Sequence, residues 1–370
     1  MISLFNTTHS SFTQNFNSIL ARSQSDMQTL IPEVLATLQD IQQRGIDSLL
    51  ELVRKYDNWN PCSLQDLKID KNKAEDAYKK LDSKLKKSLQ IAFERIYEFH
   101  SLTKPKGFIH YDKYDNLLGI QVFPVARAGI YIPGGKACYP SSLLMNAIPA
   151  KVAGVQEIIM TTPTPNNQIS DVLLATIHLC DITECYKIGG VGAIGMLAYG
   201  IGQQEVGESL SFLYADSKKH SQSCIKDKSK LLSDTDTESF KKVDCISGPG
   251  NIFVATAKKL VFGEVNIDMI AGPSEIGIIA DSSANADSVA IDMLSQAEHD
   301  EMASALLITD DSNLAREIAQ KIEEKLTHLS RQHIARISID KRSAIIITRN
   351  LQEAVCLMNK IAPAHLEINT

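Results

Sequence analysis

The chain lacks several of the sequence devices that assign a protein to a class at once. None of its 7 cysteines forms a C-x-x-C pair, and the count is odd. That excludes a disulfide framework and fits a reducing compartment, the cytoplasm. The start, MISLFNTTHS, has no basic segment followed by an apolar run, so no secretory leader is expected. No stretch is long and apolar enough to span a bilayer, which leaves no membrane partner. Basic residues do not outnumber acidic ones. The formal net charge is −6, and this excludes the basic face with which proteins hold nucleic-acid phosphates. No G-x-x-x-x-G-K-[ST] occurs, so a P-loop is excluded.

What is present is an ordinary globular balance of 370 residues, 44% hydrophobic and 22% charged. At about 100–200 residues per domain, two domains are expected. Up to about residue 105 the apolar spacing is helical. Val34, Leu35, Leu38 and Ile41 repeat within Ile31–Tyr56, and Leu81, Leu85, Leu89, Ala92 and Ile96 within Lys73–Phe99. This predicts core-facing helices without chemistry. From Leu117 short apolar runs alternate with helical ones. Strands are expected at 128–132, 157–162, 186–188, 243–247 and 267–270, with helices at 171–179, 193–199 and 253–261. A second run follows, with strands at 276–280, 305–309 and 345–348 and helices at 284–299, 313–326 and 351–361. Such alternation predicts mostly parallel sheets with helices on their faces. The stretch 201–242 breaks the rhythm with runs such as DSKKHSQSCIKDKSK, the composition of a disordered surface insertion.

Three constellations could carry chemistry. Four strand ends bear glycine turns: Pro133-Gly134-Gly135, Gly189-Gly190, Gly248-Pro249-Gly250-Asn251 and Ala271-Gly272-Pro273-Ser274. Each alone reads as a tight turn, and the ordinary Rossmann fingerprint, G-x-G-x-x-G, is expected to be absent. Four together suit a nucleotide or phosphate crevice at the carboxyl ends of strands. Gln296 and His299, three apart, share one helix face near its end. They could give zinc an amide oxygen and an imidazole, or His299 could simply cap the helix. His365, at a loop-to-strand transition, could be a base near neutrality or an exposed terminal histidine.

In order and wording, four segments resemble the histidinol dehydrogenase family: GIYIPGGKACYPSSLLMNAIPAKVAG from Gly129 to Gly154, Ser247 to Asn251 with Val243-Asp244 before it, IDMIAGPSE from Ile267 to Glu275, and SQAEH from Ser295 to His299. The similarity runs from about Leu50 to the last residue, apart from the polar insertion. The resemblance implies two Rossmann-like, aldehyde-dehydrogenase-like α/β domains with parallel sheets, an N-terminal helical region, and no complete C-terminal small domain. The helical region 1–112 is expected to pack with 276–370 as one discontinuous α/β domain, around an inserted NAD-binding-type domain at 113–275. The implied activity is NAD-dependent oxidation of L-histidinol through L-histidinaldehyde to L-histidine, the last step of histidine biosynthesis, by a cytoplasmic homodimer. By position, Tyr131 and Asn251 match NAD contacts and Ser274 a substrate contact. Gln296 and His299 match ligands of a substrate-holding zinc ion, and His365 matches the general base.

Departures from the family pattern accompany the match. Gly192 stands where the family has an NAD-contacting glutamine, and Ala364 where it has a glutamate thought to activate water. The connection at 201–242 is long where the family's is short. The family continues beyond the position of Thr370 with further zinc and substrate ligands, so an incomplete zinc site is expected. The alternative is a truncated, impaired homologue surviving as a binding or structural protein. A thiol enzyme using Cys138 or Cys245 is a third reading, disfavoured because neither has a cationic or histidine neighbour in sequence.

Overall fold

In the computed structural model the described residues are 2–134, 139–202, 239–270, 272 and 274–370. They divide into two compact units, one of Leu30–Ala271 and one of Met1–Thr29 with Gly272–Thr370. The first is the mid-chain unit and the second the terminal unit.

The mid-chain unit is built on a five-stranded sheet. Edge to edge it runs Glu184–Lys187, Glu157–Thr162, Arg127–Tyr131, Cys245–Ser247 and Asn266–Ile267, and every pair is parallel. Ile159 and Met160 are consecutive and both fully buried. Side chains alternate between the faces of a strand, so both faces of this sheet must be covered. Ile159 packs in one core with Val34, Leu38, Ile41 and Leu49 from helices Phe12–Arg44 and Ile46–Asp57. Met160 packs in another with Ala74, Ala77 and Leu89 from helices Lys71–Lys80 and Ser83–Thr103. The expected division near residue 112 is therefore corrected. Helices beyond residue 30 cluster with the mid-chain sheet, because its two apolar faces need them as cover.

The terminal unit has its own parallel sheet in the order Ser3–Asn6, Ala344–Ile347, Ser304–Thr309, Glu275–Ala280 and His365–Asn369. Leu307 faces helices Ala286–Ala297 and Ser312–Leu326, while Ile308 faces helix Leu351–Ile361. The strand at Ser3–Asn6 lies in a region that reads as helical. Most other elements fall within a few residues of their expected bounds. A further hairpin, Phe108–Tyr111 with Leu117–Ile120, is antiparallel and exposed throughout. Among the described residues no helix is long and apolar enough to cross a membrane.

Residues 203–238 lie outside the described residues. Ile201 and Phe240 are paired through reciprocal backbone hydrogen bonds of 2.8 and 2.9 Å and are buried. A solvated reading of 201–242 therefore fails at both of these ends, where apolar side chains enter the core.

One ion pair holds a strand-end turn. Lys258, buried in helix Ile252–Val261, forms an ion pair with Asp268 and donates to the carbonyl of Gly248 at 3.0 Å. Asp268 in turn accepts from the N–H of Gly248 at 2.9 Å. Burial disfavours the Asp268 charge, but the Lys258 hydrogen bond and two backbone N–H groups outweigh it and hold this carboxyl below its ordinary range. Gly248 has φ +123°, and a Cβ there would lie 2.1 Å from the Tyr131 carbonyl oxygen. The turn can only be glycine.

Two outcomes test this packing. Leu38→Ala, at a site 1% exposed, should cost about 2–5 kcal/mol, read as a lower urea midpoint. Lys258→Met should cost about 1–3 kcal/mol at neutral pH by leaving Asp268 short of a partner. Because the folded pKa of Asp268 is depressed, its contribution is complete above the unfolded value, roughly 4, and is lost as pH falls through the folded one. The stability gap between wild type and Lys258→Met should stay constant from neutral pH down to about 5 and shrink below about 4. A gap independent of pH would refute the assignment.

Candidate dinucleotide crevice and catalytic edge

The strand order of the mid-chain sheet reverses between Arg127–Tyr131 and Cys245–Ser247, because the chain builds outward in one direction and then returns to the other side. Ligands of open α/β sheets bind at the carboxyl ends beside such a switch. A cavity of about 370 Å³ lies there, lined by Tyr131, Gly134, Pro163, Gly189–Gly192, Asn251 and Phe253 together with Glu33, Leu52 and Asp57 from the N-terminal helices. Three of the four glycine turns thus meet at one crevice. Gly135 and Cys138 lie outside the described residues, as do Ala271 and Pro273 of the fourth turn.

Tyr131 ends its strand 5% exposed, and its hydroxyl accepts from the N–H of Gly190 at 3.4 Å. Burial pushes its pKa up to about 12, and the charge of Asp57 adds to the rise. Tyr131 is therefore a neutral phenol that can still donate a hydrogen bond. Asn251 both caps a helix and lines the crevice. Its side chain caps helix Ile252–Val261 by accepting from Val254 N–H at 3.2 Å.

The run Gly190-Val191-Gly192-Ala193-Ile194-Gly195 has the spacing G-x-G-x-x-G. It follows strand Glu184–Lys187 and opens helix Gly190–Tyr199, the context that gives this spacing its meaning. Gly190 has φ +58°, Gly192 lines the crevice, and a Cβ on Gly195 would meet Ile41 at 2.6 Å. These match the turn, close-approach and close-packing roles of the fingerprint. Gly189 has no side chain with which to cap the helix, and the first helical N–H, that of Gly190, is met by the Tyr131 hydroxyl. The expectation that this fingerprint is absent is therefore corrected: the sequence itself carries it from Gly190 to Gly195.

The remaining candidates belong to the terminal unit. Helix Ala286–Ala297 follows strand Glu275–Ala280 and returns beside it, so its end lies at the amino-terminal edge of the sheet. Gln296, buried, is in its last turn, and His299 is exposed just beyond. His365 opens strand His365–Asn369 opposite Ile276. Ile276 and Ile278 face helix Ala286–Ala297, and their register partners His365 and Glu367 share that face. Asp292 confirms it, since its carboxyl meets that of Glu367. Burial first, and then Glu367, raise the Asp292 pKa. Asp292 and Gln296 follow one another along one helix face, whereas His299, expected on that face, lies in the turn after the helix ends at Ala297. Ser274 continues the ladder at the same edge, its carbonyl accepting from Ser304 N–H at 3.1 Å. Ser274, Gln296, His299 and His365 thus occupy one face and one edge of one sheet.

Ala362, with φ +49°, ends helix Leu351–Ile361 in the left-handed region. Pro363 then packs so closely over Gly277 that a Cβ there would lie 2.7 Å from its ring. This turn sets the entry of His365 into its strand. Among the described residues no cluster of three or more His, Cys, Asp or Glu could hold a metal ion. Burial and then the charge of Asp268 push the Cys245 thiol pKa up, which weighs against a thiolate there.

Sequence reasoning missed Asp57, Glu33 and Pro163. The helices that bear the two acids read as core-facing only, and no local signal marks either residue.

Comparison with known proteins is consistent with this arrangement. The family model described as histidinol dehydrogenase matches residues 20–370, so the likeness begins well before Leu50. Histidinol dehydrogenase of Wolinella succinogenes is 48% identical over 99% of this chain and 77% of its own length. That of Sulfurimonas denitrificans is 48% identical over 98% of this chain and 76% of its own. The crystal structure of histidinol dehydrogenase from Elizabethkingia anophelis superposes with a TM-score of 0.73 at 27% identity, over 99% of this chain and 75% of that one. On the extent of the match and the agreement of fold, this chain belongs to the histidinol dehydrogenase family.

Proposed function

We propose that this chain catalyses the NAD-dependent oxidation of L-histidinol through L-histidinaldehyde to L-histidine, in histidine biosynthesis. The observation that carries this is the family match across residues 20–370. The glycine-lined crevice with Tyr131 and Asn251 supports the dinucleotide half of the reading. Nothing in the comparisons favours an inactive binding protein instead. The same family reading makes the chain a cytoplasmic homodimer.

The chemistry divides into two two-electron steps. In the first, an imidazole nitrogen of His365 takes the hydroxyl proton while hydride leaves the carbinol carbon for the nicotinamide, giving aldehyde and NADH. In the second, water adds to the aldehyde, and the hydrate loses a second hydride to a second NAD to give the acid. Water addition calls for a proton acceptor, and Ala364 offers none beside His365. Ser274 is read as a substrate contact at the same edge. The N-terminus of helix Gly190–Tyr199 favours the pyrophosphate.

Gln296 and His299 fit zinc in donor chemistry, an amide oxygen in the last turn of a helix and an imidazole nitrogen just beyond its end. Gln296 is buried in the last turn of its helix, and its amide oxygen is the atom that would meet the ion. Zinc held there would act as a Lewis acid and fix the substrate's donor atoms. Catalytic zinc usually has three protein ligands, and two are assigned.

Two experiments test the reading. Metal analysis after dialysis against a mild chelator should find zinc largely removed, and one zinc retained per chain would mean that the shell has further ligands. In steady-state assays His365→Ala should lower histidinol oxidation by about 10²–10⁴-fold without weakening NADH binding. Ala364→Glu should raise conversion of histidinaldehyde specifically. An unchanged aldehyde step in Ala364→Glu enzyme that turns over histidinol would refute the account of position 364.

A further inference from the structure

The crevice carries charge of one sign. Asp57 and Glu33 line it, and no lysine, arginine or histidine does so among the described residues. Asp57 is the last residue of helix Ile46–Asp57 and is 5% exposed. One of its carboxyl oxygens accepts from the N–H of Thr164 at 3.2 Å. No cation is paired with it among the described residues, and burial raises its pKa. Lys55, one turn face away, is engaged by Tyr56 and by the charge of Glu33, so it does not offset Asp57.

A buried carboxylate accepts hydrogen bonds and repels phosphate. The N-terminus of helix Gly190–Tyr199 does the reverse. A dinucleotide in this crevice is therefore sorted by its own chemistry, with phosphates at the helix end and a sugar hydroxyl at the acid. In proteins with the G-x-G-x-x-G turn, an acidic residue about 20 positions on receives the ribose 2′-hydroxyl. Here the strand that follows the glycine helix, Cys245–Ser247, contains no carboxylate. The acid in the crevice comes instead from a helix outside the sheet.

We propose that Asp57 receives the 2′-hydroxyl of the adenosine ribose and so makes this crevice select NAD over its 2′-phosphorylated form. The assignment rests on reading the crevice as the dinucleotide site. It goes beyond that reading by naming the residue that discriminates.

Direct binding to the full chain tests it, followed by the fluorescence of the reduced nucleotide. NADH should bind, and NADPH about 100-fold more weakly, because a 2′-phosphate would face an unpaired carboxylate. In Asp57→Asn that ratio should fall at least about tenfold, with NADH weakened and NADPH relieved. A melting curve shows whether the variant is folded. The unmodified chain supplies a second test that needs no variant. Adenosine 5′-monophosphate should displace NADH about 100-fold better than adenosine 2′,5′-bisphosphate, from which it differs only by the 2′-phosphate. Equal displacement by the two overturns the role of Asp57 and leaves the crevice reading standing, as does an unchanged ratio in folded Asp57→Asn. A chain that binds neither NADH nor NADPH overturns both.

Discussion

Each unit depends on one constraint: a parallel sheet buried on both faces must be covered twice. Ile159 and Met160, adjacent and both fully buried, show the demand at the centre of the mid-chain sheet. Parallel strands need long crossovers, and those crossovers bring some helices to the faces. In the mid-chain unit they do not suffice. The sheet recruits Val34, Leu38 and Ile41 on one side and Ala74, Ala77 and Leu89 on the other, from helices that precede it in the chain.

That recruitment has a functional by-product. A helix laid over the sheet to hide apolar area brings its end to the rim of the crevice, and this is how Asp57 comes to face Tyr131 and the glycines. The close approach needs small residues, and Gly195 supplies one against Ile41. The same residues that let the helices pack also shape the walls of the cavity. Lys258 and Asp268 also hold the Gly248 turn, so the turn that leads to Asn251 is fixed by an ion pair whose lysine is buried, as well as by the Asn251 cap.

The two groups of candidate residues obey different rules of placement. Tyr131, Gly192 and Asn251 stand at the carboxyl ends of strands, where helix N-termini offer donors to phosphate. Ser274, Gln296, His299 and His365 stand at the amino-terminal edge of the other sheet, where a helix ends. Helix C-termini favour cations, which suits a metal ion beside Gln296 and His299 better than it suits a phosphate.

The alternation of apolar runs was enough to place most strands and helices. The glycine turns and the spacing from Gly190 to Gly195 were enough to mark a crevice, because tight turns and close backbone approach demand glycine wherever they occur. The motif that resembles the family carried Tyr131, Asn251, Ser274, Gln296, His299 and His365 as candidates. Periodicity, however, says that a helix has an apolar face and not which sheet will cover it. The region after residue 30 therefore read as cover for the wrong sheet, and Ser3–Asn6 did not read as a strand at all. Asp57 meets Thr164 across 107 residues of chain, and no local pattern encodes a contact of that range. Sequence alone determined the elements, the turns and the candidate chemistry. Tertiary packing alone decided which acid enters the crevice, because burial of apolar area, which is blind to sequence distance, chose the helix that carries it.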